Sequence, residues 1–290
     1  MNNLIKQLIQ QILPICKTPT LAEQEAWWLL EAVTHKSKSQ VLNGHVTLTP
    51  QERDHLAILV TQRVREHKPL QYLLGSVPFC GLTINVRPPI LIPRPETEEW
   101  VTWLIDVYHK AGIATFTALD LCTGTGCIGL ALAKHFPLAT VVGVDSNADA
   151  IALACENKCN NNLNNITFVT SNLYAALSST FTSNLIVSNP PYLSSDEYDQ
   201  LDADVRMWED RDALVGGHNG MLFYREILQG VPKFLQPLPS LMQLPNVVLE
   251  IGLTQDACLE QLLSELCITD YVLHTDMHGK RRWISFNLAS

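Results

Sequence analysis

The sequence predicts an α/β fold: a mostly parallel sheet covered by helices, a small helical-bundle domain before it, and an antiparallel hairpin at its C-terminal edge. Three observations carry this. From about residue 96 onward, apolar strand-like runs alternate with helical stretches, the pattern of a parallel sheet buried on both faces. Before about residue 75 the apolar residues recur at helical spacing. The last two strand-like runs have no helix between them, so they should pair antiparallel.

Taken in order, Leu4, Ile5, Leu8, Ile9, Ile12 and Leu13 mark a first helix. Thr20-Leu21-Ala22-Glu23 has the capping-box pattern and is expected to open a second through Trp27-Trp28-Leu29-Leu30. Thr49-Pro50-Gln51-Glu52 repeats that pattern with proline at the first helical position, starting a helix that runs to about Glu66. Lys68-Pro69 breaks the pattern, and Gly75 stops a last short helix. The expected helical domain is 1–75. Residues 76–95, SVPFCGLTINVRPPILIPRP, combine β-branched residues, glycine and five prolines, which predicts a β-hairpin and a stiff connector between domains.

The third expected domain is 96–290. Its strands are FTALDL (116–121), TVVGVD (140–145), ITFVTS (166–171), NLIVSN (184–189) and NVVLEI (246–251). YVLHTD (271–276) and RWISFNL (282–288), separated by Met277-His278-Gly279-Lys280-Arg281, form the edge hairpin.

Composition bounds the function classes. With 47% hydrophobic and 17% charged residues over 290, the chain is globular. A formal net charge of -9 argues against long duplex nucleic acid as a direct partner, because phosphate neutralisation needs clustered Lys and Arg. MNNLIKQLIQ lacks a long apolar core and no segment approaches a membrane span. The expectation is a cytoplasmic protein without a membrane partner, and a monomer. Eight cysteines are scattered and expected to be reduced, buried small hydrophobes. Cys155 and Cys159 sit four apart without a matching second pair, so no metal is expected. The nine histidines show no ligand spacing.

Chemistry concentrates at strand ends. The first strand of the sheet runs into LDLCTGTGCIGLALA, residues 119–133. Asp120, Thr123, Gly124, Thr125 and Gly126 make a tight turn before a helix, where backbone can approach a ligand and free N–H groups point at it. The second strand ends in Asp145, where a carboxylate can accept both ribose hydroxyls or cap the next helix. Cys122 stands at the first glycine position of G-x-G-x-x-G. A pyrophosphate is therefore a poorer fit than a nucleoside such as S-adenosylmethionine. The third strand ends Ser171-Asn172-Leu173. Asn172 offers an acceptor and a donor to an adenine amine and Leu173 an apolar wall, although a turn asparagine fits equally.

The fourth strand delivers Asn189-Pro190-Pro191-Tyr192. A planar nitrogen is a poor nucleophile because its lone pair is delocalised. Two acceptors for its hydrogens orient it and stabilise the positive charge that develops on methylation. The Asn189 side-chain oxygen is one acceptor. The Pro190 carbonyl is the other, freed from the ladder by the prolines. Tyr192 can stack on the flat group. The predicted catalytic residues are Asn189, Pro190 and Tyr192, with Pro191 completing the substrate-binding set.

These strand-end motifs resemble a Rossmann-like class I S-adenosylmethionine-dependent methyltransferase that acts on planar nitrogens. KPLQYLLG (68–75), LIPRPETEEWV (91–101) and DVRMWEDRDALVGG (204–217) further resemble the peptide chain release factor glutamine methyltransferases of HemK/PrmC type, over nearly the whole chain. The resemblance implies methylation of the glutamine amide in the Gly-Gly-Gln motif of release factors, with S-adenosylhomocysteine as product. It implies cofactor binding by Cys122, Thr123, Gly124, Thr125, Gly126, Asp145, Asn172, Leu173 and Asn189. Two departures stand out: Cys122 for a glycine, and Asn172 where an acidic residue is frequent. The alternative is an N6-adenine or N2-guanine nucleic-acid methyltransferase, which shares the NPPY chemistry. Arg94, Glu96 and Glu98 fit either the border of the active site or an inter-domain salt-bridge set. Arg206 and Arg211 fit either ordering of the loop after NPPY or a solvated charged helix.

Overall fold

A computed structural model describes residues 2–43, 47–236 and 244–288. Residues 1, 44–46, 237–243 and 289–290, placed above in the domains 1–75 and 96–290, lie outside the described residues. In chain order the helices are α1 (Asn2–Ile12), α2 (Pro19–Thr34), α3 (Lys38–Asn43), α4 (Pro50–Arg65), α5 (Leu70–Leu74), α6 (Pro95–Lys110), α7 (Cys127–His135), α8 (Ala148–Asn160), α9 (Ser195–Asp199), α10 (Ala203–Trp208), α11 (Leu222–Phe234) and α12 (Asp256–Glu265). The strands are β1 (Ser76–Phe79), β2 (Leu82–Asn85), β3 (Thr117–Leu121), β4 (Thr140–Asp145), β5 (Ile166–Thr170), β6 (Leu185–Ser188), β7 (Val247–Glu250), β8 (Tyr271–Thr275) and β9 (Arg281–Phe286). Among the described residues no helix is long and apolar enough to cross a membrane.

The chain divides into two compact units. One is Met1–Ser76 with Asp202–Trp208; the other is Val77–Leu201 with Glu209–Ser290.

The helical unit buries Ile12, Leu29, Leu30, Val41 and Leu56 in a common core. Thr49 and Glu52 form a reciprocal capping box, with Pro50 at the first position of α4. The expected cap at Thr20 is corrected: α2 begins at Pro19, and the Thr18 hydroxyl accepts the Leu21 N–H at 3.1 Å. A proline lacks only an N–H that the first turn leaves free, so it fits the first helical position and moves the cap to Thr18. Arg63 and Glu25, both buried, make a two-pronged ion pair at 2.8 and 2.9 Å.

The short segment Asp202–Trp208 packs within this unit although its neighbours in the chain belong to the other. Lys17 pairs with Asp202 at 2.8 Å. The Trp208 indole N–H donates to the Glu66 carbonyl at 2.8 Å. The Lys68 ammonium lies 5.2 Å from the Trp208 ring. Seven residues carry too little periodicity to betray such an exchange.

In the sheet unit β1 and β2 form a separate two-stranded hairpin. Phe79, Leu82 and Ile84 share a core with Trp100 and Leu104 of α6. The main sheet has the order β5-β4-β3-β6-β7-β9-β8. Its first five strands are parallel, and β9 pairs antiparallel with β7 and β8, as the alternation pattern predicts. The run NLIVSN narrows to Leu185–Ser188, because the chain leaves the ladder as soon as the prolines remove its donors.

Candidate active site

β4 and β5 lie on one side of β3, and β6 and β7 on the other. Where strand order reverses, the connections diverge and open a crevice beyond the carboxyl ends of the strands. A cleft of about 680 Å³ sits there, lined by Cys122, Gly124, Asp145, Asn172, Leu173, Asn189 and Pro191. Ile90, Leu91, Ala213 and Phe223 add apolar wall. A smaller cavity of about 340 Å³ shares Leu91, Cys122, Gly124 and Asn189, and adds Arg94, Thr97, Thr123 and Thr125. Gly126, Pro190 and Tyr192 line neither cavity.

The turn after β3 is held from behind by Asp120, which is fully buried. Its Oδ2 accepts from the Thr123 hydroxyl at 2.5 Å and the Gly129 N–H at 2.9 Å. Among the described residues its Oδ1 has no hydrogen-bond partner, and burial pushes the carboxyl up to about 7. Cys122 adopts φ +58°, the left-handed region a glycine would enter freely. Gly126, at φ +82°, caps α7, and a Cβ there would lie 2.8 Å from the Phe168 ring. Glycine is required at 126 by backbone and packing together.

Asp145 ends β4. Its Oδ2 accepts the Gly124 N–H and its Oδ1 the Asn147 N–H, each at 2.9 Å. Each oxygen keeps acceptor capacity for a ligand in the cleft. Burial pushes its carboxyl upward. The cap of α8 is Asn147, whose side chain takes the Asp149 and Ala150 N–H groups. Asn172 is exposed at the cleft beyond β5, with buried Leu173 beside it at φ +45°.

The NPPY corner is braced on two sides. At β3, the Ser188 hydroxyl donates to the Leu121 carbonyl at 2.7 Å. From the VGG stretch, the Gly216 N–H donates to the Leu193 carbonyl at 2.9 Å. A Cβ on Gly216 would lie 2.3 Å from the Pro191 carbonyl oxygen. The Gln255 amide donates to the Tyr192 carbonyl. Tyr192 packs against the core cluster of Tyr224 and Ile251, and burial pushes its phenol upward. Among the described residues no donor reaches the Pro190 carbonyl.

Three residues unread in the sequence complete this wall. The Asn189 Nδ2 contacts the Thr97 hydroxyl at 3.3 Å. Thr97 donates to Glu250 Oε2 at 2.6 Å, and the Trp100 indole N–H reaches the same oxygen at 2.9 Å. The available signal was a carboxylate inside the apolar run NVVLEI, a costly placement unless it has partners.

The connector charges pair inside the sheet unit. Arg94 meets buried Glu209 at 2.5 Å, Glu96 meets Arg282 at 3.3 Å, and Glu98 accepts the Cys80 N–H at 2.6 Å. Arg94 also borders the smaller cavity. Arg211 lies 5.3 Å from the Tyr198 ring, while Arg206 belongs to the segment carried by the helical unit. The expectation of buried cysteines is corrected: Cys155, Cys159, Cys258 and Cys267 are exposed, lying on outward faces of helices or beyond their ends, and only Cys127 is buried. Among the described residues no cluster suits a metal ion.

A family model described as "Methyltransferase small domain" matches residues 103–215, and one described as "PrmC N-terminal domain" matches residues 18–75. The hMettl16 catalytic domain, solved in complex with MAT2A 3′UTR hairpin 6, superposes with a TM-score of 0.52. It shares 17% identity, over 86% of each chain, a likeness of fold alone. A reversed-order parallel sheet with this cleft and its antiparallel edge is that of a Rossmann-like methyltransferase. The release factor glutamine methyltransferase of Geobacter sulfurreducens is 36% identical over 89% of this chain and 87% of its own. That of Thermodesulfovibrio yellowstonii is 32% identical over 73% of this chain and 75% of its own. The chain belongs to the release factor glutamine methyltransferase family.

Proposed function

We propose that the protein transfers a methyl group from S-adenosylmethionine to the side-chain amide nitrogen of the glutamine in the Gly-Gly-Gln motif of peptide chain release factors, leaving S-adenosylhomocysteine. One observation carries the reading: Asn189, at the end of β6, lines the same cleft as Asp145 and Asn172, in a chain whose relatives are named release factor glutamine methyltransferases.

The cleft fits a nucleoside. Asp145 has acceptor capacity for two ribose hydroxyls. Asn172 and Leu173 flank the adenine, and Cys122 to Gly126 bring backbone close. The cofactor, when bound, supplies an electrophilic methyl group. Asn189 Oδ1 and the Pro190 carbonyl accept the two amide hydrogens of the substrate and hold its nitrogen toward the cleft. Both acceptors gain strength as the nitrogen becomes positive. The nitrogen then gains a methyl group and loses one hydrogen as a proton. Pro191 stiffens the corner, and Tyr192 is the candidate to flank the amide plane. The helical unit is proposed to bind the body of the release factor, while the cleft admits only the glutamine loop.

Labelled cofactor is incubated with the protein and a release factor, and the label is mapped by mass spectrometry. Label on the Gly-Gly-Gln glutamine is expected, and its absence there sinks the reading. Methylation of a base amine shares the acceptor chemistry, but the family membership does not favour it.

A further inference from the structure

The geometry points to Thr97 as a positioning residue: held by Glu250, its hydroxyl fixes which way round the Asn189 amide sits. This rests on the function proposed above.

The two ends of an asparagine amide are interchangeable in shape, and only its partners decide the orientation. Here the partners form a chain that can be solved from one end. The Trp100 indole is a donor only. Glu250 Oε2, which it contacts at 2.9 Å, must therefore be an acceptor. Ionised, Oε2 has no hydrogen to give. Burial pushes the Glu250 carboxyl upward, and the Thr97 and Trp100 donors work against that and favour the ionised form. Oε2 therefore takes the single hydrogen of the Thr97 hydroxyl, at 2.6 Å. The Thr97 oxygen has only lone pairs left to offer Asn189, so the group facing it at 3.3 Å is Nδ2.

The consequence lies at the other end of the amide. With Nδ2 committed to Thr97, the Asn189 side chain makes no other hydrogen bond among the described residues, and Oδ1 is left without a protein donor. Asn189 lines both cavities, so its acceptor is left for a ligand. A flipped amide would present a donor to the hydrogens of the substrate amide and repel it. Glu250 and Trp100 are buried at 2% and 0% exposure, and Thr97 at 2%. Water is thus kept from competing for the chain, which runs from β6 through α6 to β7.

The test compares wild type, Thr97→Val and Thr97→Ser on a release factor, reading kcat and KM by methyl incorporation. Valine keeps the shape and removes the hydroxyl; serine keeps the hydroxyl. Thr97→Val is expected to lower kcat roughly tenfold or more with little change in KM for cofactor. Thr97→Ser is expected to stay within about threefold of wild type. A Thr97→Val enzyme with wild-type kcat, or a Thr97→Ser enzyme as slow as Thr97→Val, overturns the inference. If wild type itself transfers nothing to the glutamine, the functional reading fails instead. The chain is then decided by ¹⁵N NMR of the Asn189 side-chain amide. Proton exchange slow in wild type and fast in Thr97→Val upholds it; equal exchange overturns it.

Discussion

A Cβ on Gly220 would lie 2.1 Å from the carbonyl oxygen of Tyr192 and 2.1 Å from the Gln255 amide nitrogen. That is closer than any side-chain carbon can sit, and the atoms in the way belong to the NPPY corner and the amide that caps it. Gly220 also has φ +73°. Gly220→Ala is expected to cost about 3 kcal/mol or more through steric and backbone strain together. Thermal unfolding should show a midpoint lower by roughly 6 °C or more. An unchanged midpoint would mean that the corner yields.

Asn189 and Asp145 line one cleft but should fail in opposite ways. Asn189→Ala removes the proposed acceptor for the substrate amide, which on that reading matters most as the nitrogen becomes positive. Its kcat is expected to drop by roughly 10² to 10³, with calorimetric affinity for S-adenosylhomocysteine within a few-fold of wild type. Asp145→Ala removes the proposed ribose acceptors and the anchor of the Gly124 N–H. Its affinity for the same ligand should fall by roughly 10- to 100-fold. Equal losses of affinity in both variants would contradict the assignment.

Asp120 should give the protein a stability that declines with rising pH. Its carboxyl titrates at about 7 when folded, against 3.8 for the ordinary group. It is faced by the Thr123 hydroxyl, the Gly129 N–H and the Asp145 carboxylate, with the Cys122 and Cys127 thiols nearby. Below the ordinary value the group is neutral in both states. Between the two values the unfolded chain releases a proton that the folded chain keeps, so stability falls until pH passes the folded value. This contribution amounts to at most about 4 kcal/mol. Asp120→Asn cannot titrate. In urea unfolding, the gap between wild type and variant should shift in favour of the variant as pH rises from about 4 to about 7.5. Parallel curves would exclude the effect.

Arg63 and Glu25 are 7% and 5% exposed in their side chains. Glu25→Ala leaves the buried guanidinium only Asp204 at 4.0 Å and the Lys68 carbonyl at 3.4 Å, and the helical unit should lose about 3 kcal/mol. Replacing both partners by apolar residues, Glu25→Leu with Arg63→Met, should recover most of that loss. Thermal melts of the two variants check this. A double variant as unstable as Glu25→Ala alone would show that the pair stabilises beyond mutual neutralisation.

Much of the fold could be read from order alone. Apolar runs alternating with helical ones leave a parallel sheet few alternatives, and Thr49-Pro50-Gln51-Glu52 carried its own cap. Local ambiguity produced the local error. Thr18 and Thr20 both offer a hydroxyl ahead of the helix, and the proline between them decides which is the cap. The connector charges were undecidable from sequence, because Arg94 finds its partner 115 residues away and Glu96 finds its own 186 away.

The sequence by itself determined that β3 to β7 are parallel strands whose ends carry a glycine turn, a carboxylate and an Asn-Pro-Pro-Tyr corner. Those are properties of short segments, set by periodicity and backbone chemistry. Only the tertiary structure decided that Asp202–Trp208 joins the helical unit, that Gly216 and Gly220 press against the corner, and that Thr97 and Glu250 orient Asn189. The reason is physical. Each of those contacts joins segments far apart in the chain, and a hydrogen bond or a close approach leaves no periodic trace in the sequence on either side of it.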